Sequence, residues 1–216
     1  VRELCGTVRG VAELRIFGRS SSVFTRCASL FAQELGVPYQ LRVVTDLLSQ
    51  ARADYGDNPA LKMPTLETES DTWFGALNIC RELARRAGRT VSVVWPEDLR
   101  DATAANAQEL VLQGMVTEVT LIMGSLPNEA NTSAFQSKNR IALQNILQWL
   151  DERLPQVLAQ LPEARSISFF EVTLFCFITH LEFRRVFDAS GFARLAGFCA
   201  EFGQRVAARA TPYRFD

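Results

Sequence analysis

Apolar and polar side chains alternate along Ala12-Glu13-Leu14-Arg15-Ile16-Phe17, the period-two pattern of a strand, and Gly18 ends it. After a polar turn, Arg19-Ser20-Ser21-Ser22, the residues Val23, Phe24, Cys27, Leu30, Phe31 and Leu35 recur at helical spacing, with Gly36 and Pro38 as stop signals. Tyr39 to Val44 alternates again. The resulting strand, helix, strand unit has a connection long enough for a parallel pair. A stretch of weak helical character from Leu47 to Asp57 leads to Pro64, which opens a strand over Thr65 to Thr68. A turn at Glu69-Ser70-Asp71 returns the chain through Thr72-Trp73-Phe74, and Ala76, Leu77, Ile79, Cys80 and Leu83 form the buried stripe of a helix ending near Gly88. The order is βαβ followed by ββα. Residues 1 to about 10 read as an extension ahead of it.

From Arg89 onward the period becomes helical and strands are no longer expected. Two domains follow, an α/β domain over residues 11–88 and an all-α bundle over residues 95–216. Pro96 with Glu97 and Asp98 suits a helix first turn, and Leu99, Ala102, Leu110, Leu112, Met115, Val116, Val119 and Ile122 predict one long helix from there. The segment from Pro127 to Ser133 reads as a loop. Ile141, Ile146, Trp149, Leu150, Leu154 and Val157 predict another helix, with Pro155 inside it. Ser168 and Glu171 have the spacing of a reciprocal cap ahead of the most apolar helix, Val172 to about Phe183. A last amphipathic helix is expected over Phe192 to Ala208.

Composition narrows the function classes. With 216 residues, 48% of them hydrophobic, the chain can bury one large core or two smaller ones. The balance of 23 basic against 24 acidic residues, without a long single-sign run, offers no electrostatic case for nucleic acid or an anionic membrane. A small molecule or a protein is the expected partner. The five cysteines are an odd, scattered set without a C-x-x-C pair, which suggests a reducing compartment. With one histidine and no spaced ligand set, no metal site is expected. The most apolar run, Phe169 to Leu181, is too short for a membrane span, and the charged N-terminal residues Arg2, Glu3 and Arg9 do not resemble a signal peptide. A cytoplasmic protein is the expectation.

Candidate chemistry gathers at two places. Pro64 stands at a strand start, where its missing N–H costs least; as a cis-proline it would turn the N–H and C=O of Met63 outward toward an extended ligand. The other place is the serine turn, where a hydroxyl precedes a helix start. The segment Asn58-Pro59-Ala60-Leu61-Lys62-Met63-Pro64-Thr65-Leu66 resembles the Asn-Pro-x-x-Lys-Val-Pro-x-Leu segment of the glutathione S-transferases. The βαβ-ββα order resembles their thioredoxin-like domain, and Ser168-Phe169-Phe170-Glu171 resembles the Ser/Thr-x-x-Asp box of their helical domain, here with glutamate. Ile16 to Arg26 is similar, without gaps, to the strand, turn and Ser-x-x-x-Arg helix start of the bacterial serine-type members.

The resemblance implies a thioredoxin-like α/β domain followed by an all-α bundle, a homodimer, and glutathione as co-substrate. It makes Ser22, or Ser21 in a register shifted by one, the hydroxyl facing the glutathione sulfur, with Ser20 beside them. Lys62 would meet a ligand carboxylate, and Met63 with Pro64 would present main chain to the cysteinyl part. Where the family has Glu/Gln-Ser to hold the γ-glutamyl carboxylate, this chain has Gly75-Ala76, so only main-chain N–H groups at a helix start remain there. Phe24, Met115, Val119 and Met123 are candidates for an apolar electrophile pocket, Met115 and Val119 equally for core. His180, on an apolar helix with no evident Asp or Ser partner, and Cys27 read as structural. Three functions are compatible with these residues: a transferase conjugating glutathione to an apolar electrophile, a glutathione-dependent isomerase or dehalogenase, and a non-catalytic interaction or regulatory protein on the same scaffold.

Overall fold

The computed structural model describes residues 14–124 and 134–216. The expected extension over residues 1 to 10, the start of the first strand at Ala12-Glu13 and the loop from 127 to 133 lie outside the described residues.

Strand β1 (Arg15–Gly18) is buried at alternate positions, as its alternation predicts. Helix α1 (Val23–Leu35) begins at Ser22, whose hydroxyl accepts from the N–H of Thr25, and ends at Gly36, whose φ of 66° only glycine adopts cheaply. Strand β2 (Gln40–Val43) returns parallel to β1. Then β3 (Thr65–Glu67) and β4 (Thr72–Phe74) add an antiparallel pair, giving one mixed sheet ordered β2-β1-β3-β4. Helix α2 (Ala76–Arg86) packs with α1 on the sheet through Leu30, Phe31, Ile79 and Leu83, all fully buried. The expected βαβ-ββα plan is thus present, and the weakly helical stretch contains a single 3-10 turn at Arg52–Tyr55.

The second half departs from its expected outline in three places. Strands do not vanish: β5 (Val93–Val94) will pair in parallel with a two-residue strand contributed from far along the chain. The acidic residues after Pro96 do not start the long helix. Pro96–Asp98 forms its own 3-10 turn, with the Asp98 carboxylate accepting the Trp95 N–H at 2.8 Å. Helix α3 (Ala102–Met123) starts instead at Asp101, which caps Thr103 and Ala104. Helix α4 (Ala134–Gln160) carries Pro155 within it. It is followed by β6 (Ile167–Ser168), the partner of β5, and by α5 (Phe169–Arg184), which is buried along most of its length. Ser168 caps α5 through the Glu171 N–H at 3.0 Å, but the Glu171 carboxylate turns to Arg165 at 2.7 and 2.9 Å and to the Ser168 hydroxyl, so the cap closes through side chains.

The final amphipathic stretch is two helices, α6 (Ala193–Phe202) and α7 (Val206–Ala210). The break at Gly203 to Arg205 has a tertiary cause. Arg205 is drawn out to the Glu34 carboxylate on α1 at 2.6 and 2.9 Å and to the Ser166 carbonyl at 3.0 Å. Among the described residues no helix is long and apolar enough to cross a membrane.

Candidate active site

The serine turn is a tight loop closed by a hydrogen bond from the Ser22 N–H to the Arg19 carbonyl at 3.1 Å. As the N-cap of α1, Ser22 stands beside the first unpaired N–H groups and the positive end of the helix. Its Oγ accepts from Thr25 at 3.3 Å, a long bond, and among the described residues its own O–H donates to nothing. Ser21 is 9% exposed, and its carbonyl oxygen is occupied by His180. Ser20 is directed elsewhere. Its N–H donates to the Asp216 carboxylate at 2.6 Å, and the residue lines a separate cavity of about 570 Å³ behind α1, with Gln33, Tyr39 and Thr211.

The facing wall is organised by Asn58, which donates through Nδ2 to the Lys62 carbonyl at 2.8 Å and accepts the Ala60 N–H at 2.9 Å. The Met63–Pro64 bond is cis, as expected. The Pro64 carbonyl accepts the Gly75 N–H at 3.3 Å, joining this wall to the start of α2. Among the described residues neither the N–H nor the C=O of Met63 has a hydrogen-bond partner. An exposed strand-like edge of this kind is what an extended ligand pairs with.

Ser21, Ser22, Lys62 and Met63 line one cavity of about 410 Å³, whose other walls are Phe24, Val119 and Met123 from α1 and α3. All seven come from three separate sequence predictions, and the fold brings them together. Met115 is not among them: it is fully buried in the core, and Val116, one residue and about 100° further around the helix, faces the cavity in its place. Gly75 and Ala76 line a neighbouring cavity of about 400 Å³ that shares Phe24 and Val116, and Pro64 is buried behind the wall. Gly75 has φ 81° and ψ 146°, close to a region open essentially to glycine alone. No neighbour would touch a Cβ there, so the glycine answers a demand of the backbone rather than of space. Helix α2 has no side-chain cap.

Sequence reasoning missed the support beneath the turn. His180 on α5 does have partners: Nδ1 lies 2.7 Å from Oε1 of Glu118 on α3, and Nε2 lies 3.0 Å from the Ser21 carbonyl oxygen. A carbonyl can only accept, so Nε2 carries a hydrogen. Nδ1 and the Glu118 carboxyl therefore share the one remaining proton, and the pair is neutral overall. Both residues are almost wholly buried, at 2% and 0% exposure. Burial pushes the Glu118 carboxyl above its usual range, against the opposing pull of the His180 hydrogen bond and the charges of His180 and Arg184. The available signal was Glu118 itself, a carboxylate three residues after Met115 on the buried stripe of α3, where it needs a buried donor. Cys27 and Cys80 are fully enclosed, and burial raises both thiols well above the ordinary value, which suits core residues rather than nucleophiles.

A mixed four-stranded sheet with a cis-proline groove, followed by a bundle of helices, defines the class: a thioredoxin-like domain and a helical domain in the glutathione S-transferase fold. Residues 21–86 match the family model described as "Glutathione S-transferase, N-terminal domain". Among solved structures, a glutathione S-transferase from Methylobacterium radiotolerans, in complex with glutathione sulfonate, is similar at TM-score 0.74 and 16% identity, covering 94% of this chain and 97% of that one. A glutathione transferase family member from Pseudomonas fluorescens with bound glutathione gives 0.73 and 19% over 94% and 100%. The glutathione S-transferase from Methylobacillus flagellatus, with glutathione bound, gives 0.70 and 19% over the same shares. No curated protein sequence matches the chain.

Proposed function

We propose that the protein is a glutathione transferase: it binds glutathione along Met63, stabilises its thiolate at Ser22, and conjugates it to an electrophile held in the adjoining apolar cavity. The carrying observation is one cavity containing three things: a helix-capping hydroxyl with a hydrogen to give, the unpartnered main chain of Met63, and the Lys62 side chain. That similar folds are named as complexes with glutathione or its sulfonate supports the choice of ligand. The thioredoxin-like unit is assigned to residues 11–88 and the helical unit to 95–216, in a cytoplasmic homodimer.

The chemistry asked of the protein is modest. A free thiol has a pKa of about 8.5, and lowering it by one unit takes about 1.4 kcal/mol of preference for the thiolate. One hydrogen bond to a charged acceptor supplies about 1.5–3 kcal/mol, and the start of α1 adds to it. The sulfur then forms a bond to the electrophilic carbon while the leaving group departs with the bonding pair, and the thiol proton passes to solvent. Ser22 is placed ahead of Ser21 because its hydroxyl is the one at the N-cap of α1, whereas Ser21 is 9% exposed with its carbonyl held by His180. An isomerase or dehalogenase would use the same thiolate and release it again.

Gly75 and Ala76 favour a second reading, a non-catalytic interaction protein, since neither offers a side chain to the γ-glutamyl end of glutathione. Titrating the thiolate absorbance of bound glutathione separates the two. A lowered thiol pKa that rises again by about one unit in Ser22→Ala, and moves less in Ser21→Ala, is expected for the transferase. Absence of glutathione binding at millimolar ligand would leave the interaction protein.

A further inference from the structure

The cavity beside Ser22 carries charge that thiol activation leaves unused. The charged side chains lining it are Arg19, Lys62 and Arg184, with no Asp or Glu among the lining residues. Among the described residues none of the three is ion-paired. The Nε of Arg19 is closed off from solvent and has no hydrogen-bond partner. The Arg184 guanidinium lies 5.4 Å from the centre of the Phe215 ring and donates no hydrogen bond among the described residues. The carboxylate whose charge it feels, Glu118, is fully buried; His180 holds one of its oxygens, the other has no hydrogen-bond partner among the described residues, and it forms no ion pair with Arg184.

A guanidinium standing at an apolar wall with no acceptor in the protein has an uncompensated charge there, and an arriving anion supplies the missing partner. Its planar fork suits a carboxylate or sulfonate in particular. Lys62 adjoins Met63 and belongs with the tripeptide in the reading above. Arg19 and Arg184 enter from the β1–α1 turn and the last turn of α5, away in the chain from that edge. We infer that the second substrate is an amphipathic anion: an apolar electrophile bearing one carboxylate or sulfonate, whose body lies against Phe24, Val116, Val119 and Met123 and whose charge meets Arg184 and Arg19. The word electrophile rests on the transferase reading, whereas the anion site does not.

Two measurements test it. The first compares binding of anilinonaphthalene sulfonate with its uncharged relative N-phenylnaphthylamine by fluorescence, with and without saturating glutathione. A preference of about tenfold or more for the sulfonate, retained with glutathione bound and largely lost in Arg184→Gln and Arg19→Gln, is expected from one charge-assisted bond. Equal affinities, a preference untouched by both substitutions, or expulsion of the sulfonate by glutathione would overturn the assignment. The second compares glutathione conjugation of benzyl chloride with that of its para-carboxylate, each divided by the uncatalysed rate, with chloride released in both cases. The ratio should favour the carboxylate and fall in Arg184→Gln; a ratio of one in the native protein rejects the proposal. Sulfonate preference without turnover of either chloride would instead reject the transferase reading and leave the anion site standing.

Discussion

Glu118 and His180 together hold the floor of the serine turn, and at this scale one side chain decides whether a neighbour is tolerable. With His180 present, the buried carboxyl has a proton to share at 2.7 Å. In His180→Phe it has none, while its second oxygen already lacks a partner among the described residues. Breaking a buried pair of this kind costs about 3–5 kcal/mol, so urea unfolding should show a loss of that size, mostly recovered by adding Glu118→Leu. The loss should deepen as pH rises. A carboxyl whose folded pKa is raised contributes its stability below the unfolded value and loses it as pH climbs through the folded one. The window therefore opens at the ordinary carboxylate pKa and extends upward. An unchanged unfolding midpoint would mean that the pair carries little. Ser22 and Lys62 were legible from sequence because each depends on a local pattern, a helix start and a proline turn. The partners of His180 were not, because Ser21 and Glu118 lie 159 and 62 residues away along the chain.

Helix α3 meets α5 so closely at Gly114 that a Cβ there would sit 2.5 and 2.8 Å from atoms of the Phe177 ring. Replacing glycine by alanine inside a helix ordinarily gains about 1 kcal/mol, whereas forcing extra volume into a packed core costs about 1–3 kcal/mol. The second effect should win for Gly114→Ala, with a net loss of up to about 2 kcal/mol in equilibrium unfolding. Adding Phe177→Leu should remove part of the clash, so that the double variant is less destabilised than the sum of the singles. Strict additivity would show that the helices simply move apart. Element existence followed from periodicity throughout the thioredoxin-like half. In the helical half two ends were misjudged, for different reasons. Asp101, a local cap five residues after Pro96, starts α3, whereas Arg205 divides the last helix by reaching the distant Glu34 and Ser166.

Across the whole molecule, a single buried cluster runs from Leu14 to Ala208, so sheet and bundle share one core. Arg26 fastens it. From α1 its guanidinium donates to Thr179 on α5 at 2.8 Å and to the Ala208 carbonyl on α7 at 3.4 Å, between the rings of Phe175 and Tyr213. Calorimetry should therefore give one transition. Arg26→Ala should shift all of it by about 3 kcal/mol, from two charged hydrogen bonds and two cation–ring contacts, or roughly 6–12 °C for a chain of this size. Two separated transitions would refute a shared core. The amino-acid pattern by itself determined the strand and helix order, the cap at Ser22, the cis-proline and the groove it borders, since these depend on residues within a turn or two of one another. The tertiary structure alone decided which face of α3 lines the cavity, that Ser20 leaves the site, and that His180 and two arginines without an ion-pair partner among the described residues converge on it. Those outcomes depend on how helices distant in the chain rotate and pack, and no local pattern encodes that rotation.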